Sequence, residues 1–187
     1  MTDTMVFYNQ EDLWQTPKDS KGKPLQPQYV MLDMPDKAGK GMYLIQPYSL
    51  PNRDNLVGWM ATACEPDIYG DRTVYRLPKQ RVTLGAAQAS ARINQDPKIA
   101  QQLTLWNQPG SNLLWGNMLV LPVEGTVAYI QPVFLQAQKS AITEQVGVIV
   151  LNGNRVVLGS TLDDALSLAY SNSSTATPGA ATTVTGN

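Results

Sequence analysis

The chain has 187 residues, a formal net charge of −1, no His and a single Cys. Those counts exclude Ser-His-Asp and Cys-His catalysis within the chain, the common zinc sites, an internal disulfide and a CxxC redox pair. The near-neutral charge argues against nucleic acid as a partner, because phosphate binding needs a clustered basic surface, and with 43% hydrophobic residues the length suits one globular body with a sizeable core.

The ordered body is expected over residues 5–170, after a short lead of residues 1–4. Asn9 and Asp12 signal a short helical turn through Leu13 and Trp14. Lys18, Lys21 and Lys23, like Lys37 and Lys40, lie among Gly and Pro and read as solvated loops. Residues 28–35 and 41–48 are apolar runs around the turn-like "DKAGK", so a hairpin is expected, with Pro47 at a sheet edge or a strand end. Residues 55–64, "NLVGWMATAC", carry apolar residues at helical spacing behind Asp54. Gly58, the turn-like "EPDIYGD" and the run "RTVYRLP" favour a strand in a long hairpin. Cys64 closes that apolar run and reads as a buried, inert thiol.

A helix is expected to open at Asp96, whose carboxylate can accept from the first free amides, with Pro97 at the first helical position. Ile99, Leu103 and Trp106 then form one buried stripe, and Pro109-Gly110 ends it. Next, "NMLVLPV" and "TVAYIQPVFLQ" flank Glu124-Gly125 as a second hairpin. The first of these is apolar on both faces and is expected at the centre of its sheet. "VGVIVL" and "RVVLG" flank Asn152-Gly153-Asn154, whose Asn-Gly step supplies the positive φ of a tight hairpin turn. Thr161 with Asp164 three residues on signals a last helix, burying Leu162, Ala165, Leu166 and Ala169. Residues 171–187 are small, polar and uncharged and read as a flexible tail. These signals predict an α+β fold: a mostly antiparallel, or mixed, sheet of β-hairpins with two or three helices on one face.

Chemistry is harder to find. The chain has 11 Asn and 15 Gln, many of them around the Asp96 helix, so neutral recognition of hydroxyls or peptide groups has the donors and acceptors it needs there. The candidate interaction face comprises Asp96, Gln101, Gln102 and Asn107, with Trp106 and Trp115 as stacking surfaces. The plainer reading has the amides satisfying backbone groups at turns and helix ends, with both Trp in the core. Arg53 and Asp54 in "PNRDN" are a second candidate point, for recognition or for a local ion pair. Asp67 and Asp71 fall short of a calcium loop, and no spacing selects a catalytic pair among Asp54, Asp71, Asp96 and Glu124. No Gly-rich phosphate loop is present. No catalytic residue, metal site or cofactor is expected.

Seven motifs in order carry a family resemblance: "EDLWQTP"; "NRDN" followed by "WMA"; "YGD" leading to "VYRLPK"; "ARINQDPKIAQQLTLWNQPGS"; "GNMLVLPVEG"; "YIQPVFLQA"; and "NRVVLGSTLDDAL". The chain resembles the C-terminal soluble region of the large bacterial integral-membrane proteins of uncharacterised protein family 182. The resemblance implies a parent protein with transmembrane helices upstream, a location on the extracytoplasmic side of a bacterial cell membrane, and a chain that is the last portion of the outer domain. It carries no catalytic residue, because the family's activity is not established. "NLLW" at 112–115 stands where the family pattern leads one to expect a basic residue.

The expected function is therefore a non-enzymatic domain contacting its own upstream domains, a partner protein or an envelope ligand. Two alternatives stay open. A carboxylate-dependent hydrolase of envelope polysaccharide or peptide requires a cleft holding two acids. A purely structural piece of the ectodomain requires a wide apolar patch.

Overall fold

The computed structural model describes residues 8, 13–34, 40–51, 53–78, 80–123, 125–138, 142–171 and 183–185. The turn expected from Asn9 and Asp12, the 35–39 loop and most of the 171–187 segment lie outside the described residues. Chain contacts group into two compact units, one of Met1–Ala87 with Ala180–Asn187, the other of Gln88–Gly179. Both sheets are antiparallel, and with three helices among the described residues the fold class is α+β, as expected.

In the first unit the sheet order is β1 (Gln28–Asp33), β2 (Lys40–Ser49), β3 (Leu56–Ala63), β4 (Arg72–Arg76) and β10 (Thr183–Thr185). β1 and β2 form the expected hairpin, with Met31 opposite Met42. Pro47 lies past the last β1 partner, Ile45, so it occupies the singly flanked end of β2. Residues 55–64 are the strand favoured over the helix: β3 sits between β2 and β4 and buries Leu56, Trp59, Ala61 and Ala63. The "EPDIYGD" turn contains one 3-10 turn, Pro66–Ile68. Cys64 is half-buried, with its thiol near the Thr62 carbonyl.

In the second unit β7 (Thr126–Ala137) and β8 (Thr143–Asn152) are central. β9 (Arg155–Gly159) flanks β8, while β5 (Ser111–Trp115) and β6 (Leu119–Val123) share the other side of β7. The 117–123 run was expected at the sheet centre. β6 instead pairs with β7 alone, so it is an edge strand. Its apolar residues on both faces reflect coverage of both faces: Leu119 and Leu121 pack on the cluster of Ile130, Val148, Val150, Ala165 and Ala169, while Val120 is buried too. Burial on both faces says that layers cover a strand, and does not say how many strands flank it. β8 and β9 meet through Gly153-Asn154 between the paired Asn152 and Arg155, with Gly153 at φ 58°.

Helix α1 (Ala86–Gln95) is followed directly by α2 (Pro97–Trp106), and α3 (Leu162–Tyr170) comes last. Asp96 caps α2 as expected, accepting from the Lys98 and Ile99 amides at 3.0 and 3.1 Å. Thr161 Oγ1 accepts from the Asp164 amide at 3.2 Å, and the Asp164 carboxylate accepts from the Ser160 amide at 3.0 Å. Ala165 and Ala169 are the buried positions of α3, whereas Leu162, expected on that face, is 42% exposed. α3 lies against β8 and β9. A Cβ on Gly159 would overlap the Ala165 backbone, so the absent side chain is what permits that approach.

Candidate functional site

The first unit contains a cleft of about 800 Å³, within the ordinary range for small-molecule sites. Three stretches distant in sequence build it. The 13–17 segment is tied to the end of β2 by paired hydrogen bonds between Gln15 and Ser49, both 2.9 Å, and by Gln15 Nε2 donating to the Leu50 carbonyl at 3.1 Å. The segment after β4 returns to β3: the Leu77 amide donates to the Val57 carbonyl, and the Leu56 amide and the Asn55 side chain both donate to the Thr83 carbonyl. A Cβ on Gly85 would overlap the Asp54 carbonyl oxygen, so the "NRDN" loop lies directly on that glycine.

Leu50 and Leu56, both buried, provide the apolar floor, with half-buried Val57, Val74 and Leu77. Trp14 forms a wall. It fits against β3 because residue 58 is Gly; a Cβ there would overlap the indole. Tyr48 supports it from the side, ring centroids 5.6 Å apart. Three arginines, Arg53, Arg76 and Arg81, also line the cleft, and all are exposed. The Arg76 guanidinium stands over the Trp14 ring, 5.9 Å from its centroid, a cation–π geometry that orients the group at the rim. The other polar lining residues are Asn55 and Thr83; no Asp or Glu is among the described lining residues.

Of the residues singled out in the sequence, only Arg53 lines this cleft. Asp54 is exposed, and its backbone carbonyl, not its carboxylate, makes the contact with Gly85. Arg53 and Asp54 do not form the ion pair considered for them; Arg53 uses its amide to reach the Leu50 carbonyl. The remaining candidates belong to the second unit. Asp96 is committed to the α2 cap. Asn107 is the C-cap, its amide donating to the Leu103 carbonyl at 2.9 Å, and the Ser111 hydroxyl donates to the Trp106 carbonyl at 2.8 Å. Gln101 is exposed and Gln102 half-buried. Trp106 is half-buried and reaches the backbone of Gly147, while Trp115 on β5 is 38% exposed. No three acidic or thiol side chains gather into a metal site among the described residues.

Trp14, Arg76 and Arg81 were missed in the sequence. Arg76 reads there as the outer residue of an ordinary strand, and it is its pairing opposite Gly58 of β3 that sets it over Trp14 and on the same cleft as Arg53. The one available signal was the recurrence of Arg and Pro in "PNRDN" and "YRLPKQR", two stretches bounding one β-hairpin.

The fold is antiparallel α+β, and its first unit carries an arginine-rimmed apolar cleft. Comparison with known proteins supplies the family. The pattern of the Uncharacterised protein family (UPF0182) matches residues 1–106. The chain is 40% identical over 173 residues to a UPF0182 protein of Nostoc sp., covering 91% of this chain and 17% of that protein. It is 41% identical over 174 residues to one from Methanospirillum hungatei (91% and 19%), and 44% identical over 166 residues to one from Trichlorobacter lovleyi (89% and 18%). The chain belongs to this family, whose function is unknown, and it spans about a fifth or less of the length of these relatives. No solved structure matches it. Among the described residues no helix is long and apolar enough to cross a membrane.

Proposed function

We propose that this chain is a non-enzymatic binding domain of a larger membrane-anchored protein, standing on the extracytoplasmic side of the cell membrane and working through the Trp14–Arg76 cleft. The observation that carries the binding reading is the make-up of the cleft. Its polar groups are guanidiniums, an amide and a hydroxyl around an apolar floor, which suits holding a ligand better than moving protons. The length of the relatives supports the placement in a larger protein.

A thermal-shift screen of this chain against apolar metabolites, lipids and sugars tests the binding reading. A ligand at about 100 times its dissociation constant stabilises by about 2.7 kcal/mol, several degrees in midpoint. Val82 is exposed at the mouth of the cleft, so Val82→Trp fills the opening without touching the core, and the hits are expected to vanish with it. A flat screen, or hits indifferent to Val82→Trp, sinks the reading. The extracytoplasmic placement is checked separately, by a phosphatase reporter fused behind this segment in a full-length relative; inactivity of the reporter refutes it.

A further inference from the structure

We infer that the cleft takes a small amphiphilic anion: a carboxylate or phosphate head group held by Arg53 and Arg76, with an apolar chain laid over Leu50, Leu56 and Val74. This rests on the binding reading above and names its ligand class. Charge comes first. A chain of net charge −1 places Arg53 and Arg76 on one cleft with no acid among the described lining residues, so the local sign is opposite to the global one. A neutral apolar ligand would gain nothing from that arrangement, since desolvating guanidiniums without a counter-charge is unfavourable.

The floor argues the other half. Leu50 and Leu56 are buried beneath the cleft and Val57, Val74 and Leu77 flank them, an apolar area that a bare inorganic anion would leave wet. Burying apolar chain on it is favourable by about 0.8 kcal/mol per CH₂. The volume of about 800 Å³ accommodates a head group together with its chain.

The two arginines are presented differently. Arg76 is oriented by the Trp14 face, which leaves the edge of its guanidinium, where the N–H donors lie, for oxygen acceptors. Among the described residues the Arg53 guanidinium has no hydrogen-bond or ion-pair partner, so its donors are open to a ligand. Arg forks fit carboxylate and phosphate equally well, so the head group is assigned by charge and not by element.

Calorimetric titration of the whole chain with decanoate, decyl phosphate, decanol and inorganic phosphate, each below its aggregation concentration, tests the assignment. Decanoate and decyl phosphate are expected to compete for one site. Decanol should bind at least about tenfold more weakly, because it forgoes the charge-assisted contacts to both guanidiniums. Tighter binding of one anion than the other tells lipid phosphate from fatty carboxylate as the source. Arg53→Gln with Arg76→Gln should bring the anions down to the decanol level and leave decanol unchanged. Arg53→Gln alone, which leaves the Trp14 contact intact, should give part of that loss. Equal affinity for decanol and decanoate, or anion binding indifferent to both arginine variants, overturns the head-group assignment while cleft binding stands. If no probe binds, or Val82→Trp changes none of the titrations, the cleft-binding reading falls with it.

Discussion

The Asp96–Asn107 helix and the Arg53–Arg76 cleft both concentrate polar side chains, and the structure uses them in opposite ways. In the helix the groups at the two ends are occupied locally, and the Gln101 side chain between them is exposed to water. Asp96 caps the first amides, the Asn107 amide closes the last turn, and the Ser111 hydroxyl takes up the Trp106 carbonyl. Around the cleft the backbone satisfies itself through Leu56, Thr83, Leu77 and Val57, and the Arg53 and Arg76 guanidiniums line open volume. Polar density in a sequence therefore marks a site only after local backbone needs are subtracted. The ends of the amide-rich stretch lose that subtraction, its glutamines line no part of the cleft, and the arginine pair survives it beside open volume.

The contrast breaks most visibly if the cleft scaffold is disturbed. Gly85→Ala places a Cβ on the Asp54 carbonyl, a backbone atom that cannot rotate away, and should cost about 3 kcal/mol. Gly159→Ala is the counterpart in the second unit, set against the Ala165 backbone. Urea midpoints should fall for both, but only Gly85→Ala should also weaken cleft ligands; equal effects on binding would remove the separation drawn between the two regions.

A smaller effect belongs to the core of the second unit. Burial pushes the Tyr129 hydroxyl above its ordinary pKa of 10.0. The neutral form is the one the folded state favours, so this contribution is complete below pH 10 and is lost as pH rises toward the elevated folded value. At pH 11 the wild type should have lost about 1.4 kcal/mol relative to pH 9 on this account, a loss that Tyr129→Phe does not show. Parallel pH profiles of the two proteins would remove Tyr129 from the account.

Much of the fold is legible in the sequence where a local chemical rule decides it. Asn152-Gly153 marks a hairpin because one residue must take positive φ; Asp96-Pro97 and Thr161 with Asp164 mark helix starts because free amides need acceptors. Elements decided by packing are less legible. β6 is misplaced because two-sided burial does not distinguish centre from edge. α1 is missed because its buried residues, Ala86, Ala89 and Ile93, are mostly too small to stand out, although their spacing is helical. The cleft is the least legible part. Its floor, wall and rim come from Trp14, from residues 50, 53 and 55–57, and from 74, 76–78 and 81–83, and no single window contains them.

The helix supplies the two finest tests. Asp96→Ala removes both cap hydrogen bonds and should lower stability by about 1 kcal/mol, with Asp96→Asn recovering most of it. Gln101→Ala, by contrast, trims an exposed amide with no cap to hold, and a change within about 0.5 kcal/mol is expected. Neither should alter the affinity of a cleft ligand. The pair separates two meanings of a polar residue on one helix: Asp96 matters to folding because its oxygen replaces water at two backbone donors, and Gln101 is free to vary because water serves it equally well. Loss of any partner contact on Gln101→Ala, with stability unchanged, would reverse that assignment and make the amide face a second binding surface.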